Sequence, residues 1–180
     1  MLNTIPNRIT MARVLSVPLL MYLILSESFI GRILAVILFF LAAVSDAVDG
    51  YIARSFKQTT VFGQFADPIA DKLLISGALI ALVQLGELTA AVVMALIARE
   101  FLVTGLRIVA IHEGHVIDAS ILGKLKTISH VVLVLVVLAA RTFSLGSGGE
   151  IAKIVAMVLA IATSVISGAD YFYRSRKLFT

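Results

Sequence analysis

Residues Ser45 to Lys72 read SDAVDGYIARSFKQTTVFGQFADPIADK and set Asp46, Asp49, Asp67 and Asp71 against two long apolar runs, Ile33 to Val44 and Leu73 to Leu85. A charge at the centre of a bilayer costs roughly 3 kcal/mol even on permissive insertion scales, so carboxylates in such surroundings mark a functional site. On a helix, Asp46 and Asp49 at three residues' separation and Asp67 and Asp71 at four share a face, with about 5–6 Å between Cβ atoms. Four anions that close repel one another and resist ionisation unless something offsets them. Two divalent cations do so, and hard oxygen donors with no Cys or His in the stretch favour Mg²⁺ or Mn²⁺ over Zn²⁺. A metal pair in turn implies a phosphoryl group, whose attacking and leaving oxygens it clamps. Gly50 and Gly63 let a nucleotide or pyrophosphate approach the backbone, and Ala53, one turn beyond Asp49, keeps that wall low.

Outward from this stretch, the composition excludes a soluble globular protein. Sixty per cent of the 180 residues are apolar and 14% are charged, with a mean hydropathy of +1.06. That length accommodates about six spans of roughly 20 residues in one domain over 1–180, so the expected fold is all-α, a polytopic membrane protein with six transmembrane helices. Without cysteine there is no disulfide, zinc thiolate site or thiol nucleophile. The net charge of +4 suits cytoplasmic loops of a membrane protein, and no nucleic-acid partner is expected. The N-terminal MLNTIPNRITMARVL lacks the order of a cleavable signal, so its apolar run is expected to remain in the mature protein.

The first span is expected over Ile9 to Leu25 with a kink at Pro18, followed by a loop at SESFIG and a second span over Ile33 to Ala53. Asp67-Pro68 suits the N-cap and N1 positions of a third helix ending near Leu85. Gly86-Glu87 is a tight connection to a fourth span, Leu88 to Ile111, and HEGHVIDAS is a polar loop. A fifth span over Ile121 to Ala140, a Gly-rich turn at FSLGSGG and a sixth span over Ile151 to Ala169 complete the chain.

With both termini on one side, that side holds Arg8, Arg13, Arg54, Lys57, Lys72, Arg99, Arg107, Lys124, Lys126, Arg174, Arg176 and Lys177, against Arg32, Arg141 and Lys153 on the other. The excess puts the termini in the cytoplasm of a multi-pass cell-membrane protein. Alternation then brings the end of span two, the start of three, the end of four and the start of five together. The result is a polar cavity open to the cytoplasm, with acidic residues on one wall, basic residues on the other and lipid able to enter sideways.

The basic wall carries Arg99 and Arg107, two helical turns apart, and Lys124 and Lys126. Guanidinium forks bind phosphate oxygens in pairs, so four cations suit a ligand bearing its own phosphate; the bland alternative is an intramembrane ion pair, of Arg99 with Glu100 or with an Asp of the cluster. Residues two apart point to opposite sides of a regular helix, so either span five starts irregularly or only one lysine faces the cavity. His112 and His115 have no third ligand in reach by sequence and read as solvated. Asn7, Thr10 and Arg13 suit either the site's N-terminal edge or a headgroup anchor.

The pattern D-x2-D-G-x2-A-R-x8-G-x3-D-x3-D, carried by Asp46, Asp49, Gly50, Ala53, Arg54, Gly63, Asp67 and Asp71, resembles without departure the signature of the CDP-alcohol phosphatidyltransferases. The segments IPNRITMARV, VFGQFADPIADKLL, IAREFLVTGLR, GKLKT and SGADYFY extend the resemblance over nearly the whole chain, toward bacterial members whose acceptor is glycerol 3-phosphate. The resemblance implies a six-helix, usually homodimeric enzyme that displaces CMP from CDP-diacylglycerol with an alcohol. It assigns two metals, Mg²⁺ or Mn²⁺, to Asp46, Asp49, Asp67 and Asp71, with Asp71 also the general base. It gives Asp49, Gly50, Ala53, Arg54 and Gly63 to the cytidine diphosphate, and leaves Arg99, Arg107, Lys124 and Lys126 for the acceptor's phosphate.

Three alternatives compete. The same chemistry with serine, inositol phosphate or phosphatidylglycerol as acceptor changes only the basic wall. Intramembrane prenyltransferases also use two Asp-rich segments with Mg²⁺, but they generally need more spans and lack this glycine and Ala-Arg spacing. A cation transporter requires polar residues through both leaflets, whereas the outer halves of these spans are almost purely apolar.

Overall fold

The computed structural model describes residues 5–56, 61–113 and 120–176, with side chains described over 11–45, 69–70, 72–110, 112–113 and 120–176. It is all helical. The elements are α1 (Ile5–Leu25), α2 (Phe29–Phe56), α3 (Val61–Gln84), α4 (Ala90–His112), α5 (Ile121–Phe143) and α6 (Gly146–Arg174). A helix satisfies every backbone N–H and C=O within its own segment, as chains this apolar require in hydrocarbon.

Several boundaries differ from the sequence-based expectation. α3 begins at Val61, so Asp67 and Pro68 lie inside the helix and are not its cap; only Gly interrupts the helix-compatible run VFGQFA ahead of them, and a membrane-type helix tolerates an internal Pro. α1 likewise continues through Pro18. The expected Gly-rich turn contracts to Ser144 and Leu145, because Ser144 (φ 49°) and Gly146 (φ 56°) both take the left-handed conformation and the rest of GSGG winds into α6. Gly86 behaves as expected: at φ 74° it ends α3, with its N–H bonded to Val83 O at 2.9 Å and the Glu87 N–H to Leu82 O at 3.0 Å. That is a Schellman arrangement, which places glycine where other residues are strained.

α1 packs along α2 and α3, α5 along α6, and α2 and α4 close the bundle against α5 and α6 respectively. Leu20, Ile24, Phe39, Leu74, Leu79, Leu133, Val134 and Val137 form the fully buried centre. Large apolar side chains are exposed on every helix, among them Leu15, Ile30, Ile80, Phe101, Ile128 and Val165. So many exposed apolar side chains on every helix suit a non-aqueous surrounding, and α5 and α6 are each long and apolar enough to cross a membrane. The chain is accordingly an all-α membrane protein.

One end of the bundle is stitched by cations on helix termini. Arg141 donates to Ile24 O at 2.7 Å at the end of α1, and Arg32 donates to Arg141 O at 3.3 Å at the end of α5. Both carbonyls carry the negative end of a helix dipole. Lys153 joins Glu87 at 2.6 Å and Glu150 at 2.7 Å. The three cations assigned to one side by sequence are therefore structural at the end remote from the candidate site.

Gly77 marks a close approach of α1 and α3, since a Cβ there would stand 2.8 Å from Val17 Cγ1. Gly77→Ala is expected to destabilise the bundle by about 1–3 kcal/mol through overpacking, read as a lower thermal midpoint in detergent. Adding Val17→Ala is expected to recover part of that loss. An unchanged midpoint in Gly77→Ala contradicts the tight α1–α3 contact.

Candidate active site

At the opposite end, the second half of α4, the first turns of α5 and the last turns of α6 enclose a cavity of about 430 Å³. Arg99, Arg107, Lys124 and Lys126 all line it, joined by Lys72 from α3, and Glu100 is the one carboxylate among the described residues of its wall. The four cations expected on one wall line one cavity.

Glu100 partly neutralises this wall. One carboxylate oxygen, Oε1, accepts from Arg99 Nη1 at 2.8 Å and from Lys126 Nζ at 2.6 Å. The ion pair considered as the bland account of Arg99 therefore exists. Arg99 also donates through Nε to Ser164 O at 3.3 Å and through Nη2 to the Ser167 hydroxyl, which ties α4 to α6. Beneath it, His130 Nε2 meets Ser164 Oγ at 2.8 Å and Ser129 Oγ meets Thr163 Oγ1 at 2.6 Å, so a polar seam between α5 and α6 underlies the cavity.

Arg107 is placed differently. Its Nη2 donates to the Tyr171 hydroxyl, its guanidinium carbon lies 4.9 Å from the Tyr171 ring centroid, and its buried Nε has no partner among the described residues. A guanidinium with a donor still to give suits an oxyanion. Lys72 donates to Thr104 Oγ1, and Thr104 Oγ1 donates to Glu100 O at 2.7 Å.

The alternatives posed for Lys124 and Lys126 both fail. α5 is regular from Ile121, with Ser120 as N-cap accepting from Gly123 N at 3.0 Å, yet both lysines line the cavity. Lys126 is buried against Glu100, while Lys124 is exposed at the rim. The cavity wraps around the end of the helix, and a four-carbon stem carries each ammonium well away from its own Cα.

On the acidic side, the helical backbone carries Asp46, Asp49, Gly50, Ala53 and Arg54 in the last turns of α2 and Gly63, Asp67 and Asp71 in the first turns of α3. Helical geometry there keeps the three- and four-residue spacings that put each aspartate pair on one face. Their side chains lie outside the described residues, as do those of Asn7 and Thr10 and all of His115. Two described neighbours mark where this region sits: Lys72, which follows Asp71, lines the basic cavity, and buried Arg13 of α1 reaches Ser45 Oγ, beside Asp46, at 3.4 Å. The donor set fits hard divalent cations, being four carboxylates on two helices with neither Cys nor His in the stretch. Among the described residues, no three His, Asp or Glu side chains come together as a metal site, and His112 is exposed at the end of α4.

Sequence reasoning missed Tyr171 and assigned Glu100 no part in the site. Tyr171 lies 64 residues beyond Arg107, a separation no local spacing rule bridges. The small residues of SGAD just before it were the available signal for close helix approach.

The CDP-alcohol phosphatidyltransferase family model matches residues 3–166. A Bacillus subtilis protein named CDP-diacylglycerol--glycerol-3-phosphate 3-phosphatidyltransferase is 40% identical, over 95% of this chain and 94% of its own length. A Rickettsia bellii protein of the same name is 34% identical over 98% of both chains. A Mycobacterium tuberculosis protein named probable phosphatidylglycerophosphate synthase is 38% identical, over 94% of this chain and 80% of its own length. With the aspartate signature at the junction of α2 and α3 and relatives matched along nearly its whole length, the chain belongs to the CDP-alcohol phosphatidyltransferase family.

Proposed function

We propose that the chain transfers the phosphatidyl group of CDP-diacylglycerol to glycerol 3-phosphate, releasing CMP and forming phosphatidylglycerophosphate. The observation that carries this reading is the cavity beside the aspartate-bearing end of α3, lined by Arg99, Arg107, Lys124, Lys126 and Lys72 against Glu100, the one carboxylate among the described residues of its wall. Serine, a zwitterion with one carboxylate and no net charge, engages such a wall less fully than a phosphate dianion does. The names of the relatives point to the same acceptor.

In this reading residues 1–180 form one domain of six spans, with both termini and the cavity on the cytoplasmic side, as the distribution of Lys and Arg supports. Family resemblance supports a homodimer. Asp46, Asp49, Asp67 and Asp71 hold two Mg²⁺ or Mn²⁺ ions, which supply charge neutralisation to the pyrophosphate. Asp49, Gly50, Ala53, Arg54 and Gly63 hold the cytidine diphosphate.

Arg107 and Lys124 take the acceptor's phosphate, while Arg99 and Lys126, already bridged by Glu100, set the positive potential around it. Asp71 accepts the proton of the primary hydroxyl. The new P–O bond forms at the phosphatidyl phosphorus, and the bond from that phosphorus to the oxygen retained by CMP breaks. Positioning and electrostatic stabilisation supply most of the catalysis in such displacements.

The test is CMP release from CDP-diacylglycerol by the detergent-purified protein with glycerol 3-phosphate. CMP is expected in Mg²⁺ or Mn²⁺, with loss of release in EDTA and recovery on adding the metal back. Failure to release CMP with any alcohol acceptor overturns the transferase reading and favours cation transport.

A further inference from the structure

We propose that Tyr171 is a positioning residue for the acceptor's phosphate, holding Arg107 against the first turn of α5 so that its remaining N–H groups face the cavity. The inference rests on the transfer to glycerol 3-phosphate proposed above.

Tyr171 is 2% exposed and sits in the last turn of α6. Its hydroxyl accepts from Arg107 Nη2 and from the Ser120 backbone N–H, the latter at 3.2 Å, so both of its acceptor positions are filled. One phenol oxygen thus joins α4, the N-cap of α5 and α6 at the wall of the cavity. The ring adds a second restraint, because its face lies 4.9 Å from the Arg107 guanidinium and 5.9 Å from that of Arg99. Cations are attracted to an aromatic face at such distances.

The orientation imposed on Arg107 has a chemical consequence. With Nη2 committed to Tyr171, the buried Nε is left without a partner among the described residues, beside a cavity large enough for a phosphate ester. Nε is enclosed by the protein, so an oxyanion in the cavity is met by the remaining Nη N–H groups of Arg107, on a fork whose plane is already fixed by the tyrosine.

Gly123 preserves the room this requires. A Cβ at that position would stand 3.1 Å from the Tyr171 hydroxyl oxygen and 3.4 Å from its ring.

The experiment compares wild type, Tyr171→Phe, Gly123→Ala, Arg107→Gln and the Tyr171→Phe/Arg107→Gln double variant in detergent. Initial rates of CMP release are measured against each substrate in turn, with thermal midpoints alongside. Tyr171→Phe is expected to raise KM for glycerol 3-phosphate about tenfold, the scale of one hydrogen bond to a charged group. KM for CDP-diacylglycerol is expected to stay within about twofold. Gly123→Ala is expected to move the acceptor KM in the same direction, and Tyr171→Phe is expected to add nothing once Arg107 is Gln. Tyr173→Phe, at an exposed position two residues on, is the unchanged control.

Equal rises in both KM values, or additive effects in the double variant, overturn the proposal and make Tyr171 a packing residue. Calorimetric titration of inorganic phosphate separates this failure from failure of the functional reading. If wild type releases no CMP, weaker phosphate binding by Tyr171→Phe than by wild type still upholds the positioning role, and equal binding overturns it.

Discussion

Asp71→Asn is expected to lower CMP release from CDP-diacylglycerol by about 10²–10⁴-fold, the range for loss of a positioned general base. The substitution keeps the size of the side chain and removes both its charge and its ability to accept a proton. Asp71 is the last of the four signature aspartates and precedes Lys72, which lines the basic cavity. Among the four it therefore lies nearest in sequence to the wall that holds the acceptor. CDP-diacylglycerol binding is expected to survive in large part, because Asp46, Asp49 and Asp67 remain. Equilibrium binding of the lipid nucleotide, measured beside turnover, separates the base role from a purely ligating one. Normal turnover in Asp71→Asn contradicts the assignment, and a parallel collapse of nucleotide binding reassigns the residue to metal holding alone.

Glu100→Ala is expected to destabilise the protein by about 3 kcal/mol, the scale for removing one partner of a buried ion pair. A single Glu100 oxygen serves Arg99 and Lys126, and the side chain of Lys126 is only 7% exposed. Deleting the carboxylate leaves two cations facing one another with no counter-charge among the described residues. A thermal midpoint several degrees lower is the expected reading, with Glu100→Gln milder because its amide oxygen still accepts one of the two hydrogen bonds. Adding Lys126→Met to Glu100→Ala is expected to restore part of the stability by removing the stranded charge. A midpoint equal to that of wild type in Glu100→Ala shows instead that water reaching the cavity solvates both cations. The same substitution bears on function, since Glu100 sets how much positive charge the wall presents to an acceptor.

Much of this architecture was legible in the residue order. Six apolar runs give six helices, and alternation along the chain brings Arg99, Arg107, Lys124 and Lys126 to one cavity and Arg32, Arg141 and Lys153 to the other end. Spacing was less informative where a long side chain decides the outcome. Lys124 and Lys126 point to opposite sides of α5 at Cα, yet both reach a cavity that wraps around the helix end. Asp67-Pro68 carries the signals of a helix start, but the residues ahead of it are helix-compatible, so α3 begins at Val61. Tyr171 was not legible because its role depends on which helix packs on which. Only the α4–α6 contact brings a residue of the last helical turn under Arg107.

The central claim is that this cavity selects glycerol 3-phosphate, an acceptor carrying its own phosphate, and joins it to the phosphatidyl group. Its most direct test follows radiolabelled glycerol 3-phosphate into solvent-extractable lipid while CMP is counted in the same reaction, with serine, inositol phosphate and phosphatidylglycerol assayed in parallel. The expected result is one label transferred per CMP released, with glycerol 3-phosphate preferred over the other three. CMP release without label in the lipid, or preference for another acceptor, would contradict it.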